Sequence, residues 1–159
     1  TDDHVTSGDG DDLIRSTDAQ LSSHLVIAAG AGLDTLEVND DASLLDTSFT
    51  QLSGIEVLKL SADAGDNAQS VSVAAHAAAM GLVAIDTLLA GADDAISIDA
   101  SGFTNTLTID TAAGNDVVLL GSGGSVVHTN DGADSVTAGA ASDDIASGAG
   151  DDTIHVTAL

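Results

Sequence analysis

Aspartate and glycine recur at fixed positions through the last third of the sequence. From Thr111 to His155 the chain divides into five consecutive nonapeptides: TAAGNDVVL, LGSGGSVVH, TNDGADSVT, AGAASDDIA and SGAGDDTIH. Their sixth residue is acidic in four of the five, and the residues at this position are Asp116, Ser125, Asp134, Asp143 and Asp152. Carboxylates on glycine-rich loops supply the oxygen ligands that Ca²⁺ prefers, about six to eight per ion. The spacing therefore predicts loops that bind a hard divalent cation.

The other repeated positions indicate how these loops are held. The eighth residue of every block is Val or Ile, as expected of a strand residue that points into a core. The fourth residue is glycine in four of the five blocks, which suits a tight loop with positive φ. Six loop residues and three strand residues make half a turn of a coil, so residues 18 apart stack. The same frame returns at 7–15 (SGDGDDLIR) and 29–37 (AGAGLDTLE) and, in degenerate form, around Asp94 and Ile96.

Stacking at this interval predicts two ladders of side chains. One ladder contains Asp116, Asp134 and Asp152, and the other contains Ser125 and Asp143. Neighbouring carboxylates repel each other unless a cation lies between them. At the front, Asp12 and Asp34 are 22 residues apart, so a pair there needs an inserted bulge. Asp94 and Asp116 have the same spacing of 22, which indicates one recurrent longer turn.

The pattern resembles the GGxGxDxUx nonapeptide of RTX (haemolysin-type) calcium-binding proteins, in which U is a large apolar residue. The resemblance is direct over 111–155 and 1–15, good at 29–37 and loose over 38–110. It implies several Ca²⁺ ions between successive loops, with the best sites between 111–116 and 129–134 and between 129–134 and 147–152. The implied metal-site residues are Asp116, Asp134, Asp152, Asp143, Asp12 and Asp34, with Gly114, Gly132, Gly148, Gly150, Gly10 and Gly32. In such a protein the binding energy of the metal is folding energy.

The composition excludes several classes of partner. Twenty-six acidic residues face only Arg15 and Lys59 among 159 residues, which gives a net charge of −24. This surface repels nucleic acid and anionic membranes. No stretch resembles a membrane-spanning segment or a classical signal peptide. All the acids except Glu37 and Glu56 are Asp, which favours turns and cation ligands over a salt-adapted surface without metal.

The middle of the chain keeps short strand-like runs without the nonapeptide. Residues 49–60 (FTQLSGIEVLKL) and 98–110 (IDASGFTNTLTID) are similar to the irregular solenoid turns of RTX-type S-layer proteins and large surface adhesins. The run AAHAAAM at 74–80, followed by Gly81, predicts a short helix. Because the chain has only two aromatic residues and no cysteine, its core must be thin, aliphatic and free of disulfides.

Together these features predict an all-β fold. We expect a right-handed parallel β-roll or β-solenoid, with calcium between stacked Asp/Gly loops, irregular longer turns and one short helix in the middle. Residues 1–37 would form N-terminal RTX-like turns, and 38–110 irregular turns with the helix near 74–80. Residues 111–159 would contain the five tandem nonapeptides and a C-terminal strand. All three segments would belong to one continuous solenoid.

Other chemistries find little support in the sequence. The five histidines are widely spaced and have neither an HExxH motif nor a cysteine partner, so we expect exposed strand residues. There is no GxSxG motif and no GxxxxGK[ST] loop. Glu37 and Glu56 are too isolated to form an acid/base pair.

The resemblance implies a non-enzymatic, calcium-stabilised structural module of a secreted bacterial cell-surface protein: an S-layer, filament or adhesin exported by type I secretion. Because no capping unit is visible at either end, we expect a piece of a longer chain or self-association, head to tail or in a lattice. A surface polysaccharide is a further candidate partner. The alternative is the RTX folding and secretion tail of a type I-secreted enzyme whose catalytic domain lies outside this chain.

Overall fold

The chain folds as a parallel β-solenoid. The structure is a computed structural model that describes residues 3–21, 25–61, 68–90 and 94–156. Within these ranges every strand pairing is parallel and joins successive turns of the coil. The all-β fold expected from the repeats is therefore confirmed.

The elements of the described residues follow one another as short strands with few helical segments. The strands are β1 (Asp3–Asp9), β2 (Leu13–Ser16), β3 (Leu25–Ala31), β4 (Thr35–Val38), β5 (Ser43–Leu44), β6 (Leu52–Ser53), β7 (Val57–Ser61), β8 (Gln69–Ser72), β9 (Ala84–Leu89), β10 (Ile96–Asp99), β11 (Leu107–Asp110), β12 (Val117–Leu119), β13 (Ser125–His128), β14 (Ser135–Thr137), β15 (Asp144–Ala146) and β16 (Thr153–His155). The helices are α1 (Asp18–Leu21) and α2 (Ala75–Met80), and a 3₁₀ helix covers Asp46–Phe49.

The strands form three sheets. Sheet A has the order β1-β3-β6, sheet B has the order β15-β13-β11-β9-β7-β4-β2, and sheet C has the order β16-β14-β12-β10-β8-β5. Helix α2 follows β8 where the next strand of sheet A would stand, and it contacts both β6 and the 3₁₀ helix. The described coil therefore changes from three-sided at its front to two-sided at its rear.

The number of residues per turn changes along the coil. Residues 22 apart are hydrogen-bonded in the first turns, residues 27 apart across β5 and β8, and residues 18 apart in the tandem nonapeptides. The longer turns carry the third sheet or helix α2, whereas the nonapeptides need only two loops and two strands. The predicted 18-residue period and the 22-residue front turn are both present.

The core consists of inward side chains stacked in files. Along sheet B the file is Leu36, Leu58, Ile85, Ile109 and Val127, and along sheet C it is Leu44, Val71, Ile98, Val118 and Val136. All of these side chains are buried, and each contributes about 1.5–3 kcal/mol by burial. Phe49 and Phe103, the chain's two aromatic residues, lie in the same core.

The outer face of sheet B carries a file of charged residues. From front to rear it contains Arg15, Glu37, Lys59, Asp86, Asp110 and His128. Arg15 Nε lies 3.1 Å from Glu37 Oε2, and Lys59 Nζ lies 3.2 Å from Asp86 Oδ2. At the rear, Nδ1 of His128 lies 2.5 Å from Oδ1 of Asp110. Both basic residues of the chain therefore stand in one line across the strands of this sheet.

Helix α2 begins on a carboxylate that is distant in sequence. Asp46 Oδ1 accepts the N–H groups of Ala74 and Ala77 at 2.7 and 3.0 Å, and its Oδ2 accepts that of His76 at 3.0 Å. Gly81 follows the helix with a φ of 116°, so the glycine stop expected after the alanine-rich run is present. The predicted helix lies where the sequence placed it, and a side chain from another turn satisfies its first N–H groups.

Candidate metal centre

The rear ladder, which we define as Asp116, Asp134 and Asp152, lies where the loops enter the strands of sheet C. Oδ1 of Asp134 accepts the backbone N–H of Asp116 at 2.9 Å, and Oδ1 of Asp152 accepts that of Asp134 at 3.0 Å. The structure thus brings together the three carboxylates that the 18-residue period places on one side. Each carboxylate also ties its own turn to the turn before it.

The opposite side of the nonapeptides carries only a weak second ladder. Oδ1 of Asp143 accepts the N–H of Ser125 at 2.9 Å, and Oδ2 accepts the N–H of Gly139 at 2.8 Å. Both oxygens of Asp143 are therefore engaged by backbone. Because Ser125 brings no carboxylate, this side has less to offer a cation than the rear ladder.

The front ladder, which we define as Asp12, Asp34 and Glu56, lies beside the strands of sheet B. Oδ1 of Asp34 accepts the N–H of Asp12 at 2.9 Å, and Oε2 of Glu56 accepts the N–H of Asp34 at 2.9 Å. The first two residues were predicted metal ligands. Glu56 was missed, although its distance of 22 residues from Asp34 repeats the distance from Asp12 to Asp34.

Residues one place earlier in the loops reach in the other direction. Oδ1 of Asp11 accepts the N–H of Leu33 at 2.8 Å, and Oδ1 of Asn115 accepts the N–H of Ala133 at 2.8 Å. The fifth position of the repeat therefore binds the following turn, while the sixth binds the preceding one. Successive loops are clamped from both sides by side-chain oxygens.

Several ladder carboxylates are buried. Asp34, Asp116 and Asp134 are 0, 1 and 2% exposed. Burial raises the pKa of the Asp116 carboxyl above its ordinary value; hydrogen bonds from the Thr111 hydroxyl and the Ile96 N–H oppose this rise, and the charge of Asp134 adds to it. Ionised carboxylates in this position carry both a desolvation cost and mutual repulsion.

Some of the ladder oxygens have no hydrogen-bond donor among the described residues. Oδ2 of Asp12, of Asp34 and of Asp134 is buried and has no hydrogen-bond partner among the described residues. A buried carboxylate oxygen without a donor is costly, and a hard cation is the ligand that satisfies it. These oxygens belong to the front and rear ladders, so the residues present fit the calcium that the repeat implies.

The carbonyls of the loops are the second source of oxygen. Gly10, Gly32, Gly114, Gly132, Gly148 and Gly150 all have positive φ. The loops stack so closely that a Cβ added to Gly132 would lie 1.8 Å from the carbonyl oxygen of Gly114. In the described part of the chain, no three His, Cys, Asp or Glu side chains converge on one metal position. An ion would therefore use carboxylates of adjacent turns together with backbone carbonyls.

The degenerate repeat around Asp94 is in a different register from the one expected. Oδ1 of Asp116 accepts the N–H of Ile96, 20 residues earlier, at 2.9 Å. Asp94 instead lies level with Gly114, where an added Cβ would be 2.2 Å from the Asp94 carbonyl oxygen. Because this turn has 20 residues and not 22, Asp94 does not occupy the sixth position, and the rear ladder begins at Asp116.

The histidines form no common site in the described residues. His128 and His76 each pair with one aspartate, His128 with Asp110 and His76 with Asp46 at 2.7 Å. His4 on β1 and His155 on β16 are exposed, as expected. His24 lies outside the described residues.

No protein-family model matches the chain, and comparison with curated proteins and with solved structures found no match. Among the described residues, neither helix has the length and apolar character needed to cross a membrane.

Proposed function

We propose that the chain is a non-enzymatic, calcium-stabilised structural module of a secreted bacterial cell-surface protein, such as an S-layer, filament or adhesin. One observation carries the proposal: Asp34 and Asp134 are buried and each keeps a carboxylate oxygen without a donor in the described residues. When bound, Ca²⁺ supplies positive charge and accepts oxygen ligands. The front and rear ladders, with the loop carbonyls, are the residues that would hold it.

The net charge supports export before folding. At −24, the calcium-free chain repels itself, and the ladders concentrate part of that repulsion inside the coil. Calcium outside the cell would relieve this repulsion, so folding follows secretion. This order suits type I secretion and an extracellular location.

The outer faces of the coil support self-association. Val117 and Leu119 point outward from sheet C and are 41 and 37% exposed, on a face formed by parallel strands. Their neighbours across the strands are polar, so these two side chains would be covered only by contact with another molecule, such as a second copy. We therefore propose assembly in a lattice or filament, with a surface polysaccharide as a further candidate partner.

A calcium titration followed by far-UV circular dichroism tests the proposal. Starting in chelator, calcium should produce a cooperative gain of β signal, and magnesium at the same concentration should not, because Mg²⁺ demands a smaller and more regular oxygen shell. A chain that is fully folded in chelator and unchanged by calcium would contradict the proposal.

A further inference from the structure

The front ladder has a third rung that lies outside the repeat. Glu56 belongs to the segment SGIEVLKL, which has no GxGxD loop. Its carboxylate nevertheless accepts the N–H of Asp34 at 2.9 Å, in the same way that Asp34 accepts the N–H of Asp12. The structure therefore continues the ladder into a turn where the nonapeptide has ended.

Glu56 follows a shorter loop than Asp34 does. Gly54 packs on Gly30, since a Cβ added to Gly54 would lie 2.9 Å from the Gly30 carbonyl oxygen. From Gly30 to Asp34 the chain advances four residues, but from Gly54 to Glu56 it advances only two. Strand pairing nevertheless places Glu56 level with Asp34. The residue that follows Glu56, Val57, pairs with Thr35, as Thr35 itself pairs with Leu13.

Neither the lysine nor the arginine of the chain neutralises the front ladder. The only lysine and arginine of the chain are engaged elsewhere, Lys59 with Asp86 and Arg15 with Glu37. Asp34 is fully buried, with Oδ1 bonded to the Asp12 N–H and Oδ2 without a partner in the described residues. Successive turns carry carboxylates here, and a cation from outside the chain would offset their charge.

We propose that Asp34 and Glu56 together bind one divalent cation, so that Glu56 is a metal ligand that the nonapeptide does not contain. The two carboxylates match the charge of the ion, and carbonyl or water oxygens complete its shell. Glu56 Oε1 lies beside the end of α2, where a Cβ added to Gly81 would be 3.2 Å away. The inference rests on the proposed calcium-dependent function and adds one site to it.

Counting bound ions by native mass spectrometry of the whole chain tests the assignment. The variants are Glu56→Gln, Asp34→Asn and the double variant, with Glu37→Gln as the matched control. Gln retains an oxygen that can accept the Asp34 N–H, so Glu56→Gln should fold in calcium and bind one ion fewer than the wild type. The double variant should lose no more ions than Asp34→Asn alone, and Glu37→Gln should keep them all, because Glu37 lies on the outer face with Arg15.

Three results would overturn the assignment, and they can be distinguished from one another. If Glu56→Gln keeps every ion while Asp34→Asn loses one, Glu56 is only a hydrogen-bond acceptor, and the proposed function stands. If the wild type binds no calcium, the proposed function fails, and this site fails with it. Should Glu56→Gln not fold, Asp34→Asn carries the test, because it removes the other proposed ligand; a full ion count in that variant would also overturn the assignment.

Discussion

The two carboxylate oxygens of Asp34 and of Asp134 have different tasks. One oxygen accepts an N–H from the preceding turn, which an asparagine could also do. The other oxygen is buried without a donor at Asp34 and Asp134 among the described residues. In an asparagine this atom would be an amide nitrogen, which donates hydrogen bonds and does not bind a cation. At the exposed fifth position an amide is sufficient, and Asn115 stands there. An Asn can therefore link two turns by a hydrogen bond, whereas the proposed binding of a cation requires an Asp.

Asp134→Asn should therefore have opposite effects with and without calcium. In chelator the substitution removes the repulsion between residue 134 and Asp116, and the asparagine oxygen can still accept the Asp116 N–H. The free energy of unfolding should therefore equal or exceed that of the wild type. In calcium the variant should gain less stability than the wild type does, and its free energy of unfolding should be lower by about 1–3 kcal/mol. Urea unfolding in both conditions measures this, with exposed Asp131→Asn as the control. A variant that gains as much stability from calcium as the wild type would contradict the role of Asp134.

Thr111→Val should destabilise the rear ladder without changing its charge. The Thr111 hydroxyl is buried and donates to Oδ2 of Asp116. Loss of a buried hydrogen bond to a charged group costs about 1.5–3 kcal/mol. Chemical unfolding should show this loss, whereas Thr108→Val, on the outer face of β11, should show little change. Equal effects of the two substitutions would argue against a specific bond.

At the scale of elements, α2 depends on a single carboxylate from another turn. Burial on its own would raise the pKa of Asp46, but the N–H groups of Ala77, His76 and Ala74, together with the His76 ring, outweigh it and hold the pKa below its ordinary value. A carboxyl whose folded pKa is lowered stabilises the fold above its unfolded pKa. That stability is lost as the pH falls through the folded pKa.

Asp46→Ala should consequently destabilise the protein at neutral pH by about 0.5–2 kcal/mol, the usual value of a helix N-cap. The difference from the wild type should stay constant above the ordinary aspartate pKa of 3.8 and shrink as the pH falls below it. Urea unfolding as a function of pH measures the difference, and Thr47→Ala, in the same 3₁₀ helix, is the control. A difference that grows towards acid pH would contradict the lowered pKa.

The charged file on sheet B should add stability that salt weakens. Lys59 stands between Glu37 and Asp86 across neighbouring strands, which are about 4.8 Å apart. Lys59→Gln should cost about 0.5–1 kcal/mol in low salt and less in high NaCl. Arg15→Gln should cost less, because Arg15 is 63% exposed on the edge strand β2. Unfolding at two ionic strengths tests this, and a loss independent of salt would favour packing over charge.

The elements that could be read from the sequence are those with a short, regular period. The nine-residue blocks predicted the ladder of Asp116, Asp134 and Asp152. They also predicted that Val118 and Val136 point into the core. Glu56 was missed because its loop is shorter and lacks the GxGxD pattern, so that only its distance of 22 residues from Asp34 marks it. The pairing of Asp46 with α2, 28 residues or more apart, escaped because its register depends on a turn length that only the folded coil defines.

At the scale of the whole molecule, stability should be graded along the coil. The middle strands have neighbours on both sides and fully buried inward residues, such as Ile85 and Ile109. On β16 the inward residue Ile154 is 43% exposed, although it lies in the file of Val118 and Val136. The last described turn therefore buries much less apolar surface than the middle of the coil.

Hydrogen exchange followed by mass spectrometry should show this gradient. Amides of β15 and β16 should exchange faster than those of β9 and β11, because local opening there exposes little additional surface. Calcium should slow exchange in β14 and β16, which follow the rear ladder, more than in β8, which no ladder aspartate precedes. Uniform slowing along the whole chain would contradict a local effect of the metal.

The position of the two basic residues has a consequence for proteolysis. Trypsin cleaves after lysine and arginine, and this chain offers it only Arg15 and Lys59. Lys59 lies within β7, which is paired on one side with β4 and on the other with β9. Cleavage there requires β7 to leave both neighbours, so the rate of this single cut reports the opening of sheet B. Arg15 is 63% exposed on the edge strand β2, so cleavage there does not require sheet B to open. The coil that follows Arg15 should therefore persist in trypsin for as long as β7 stays paired.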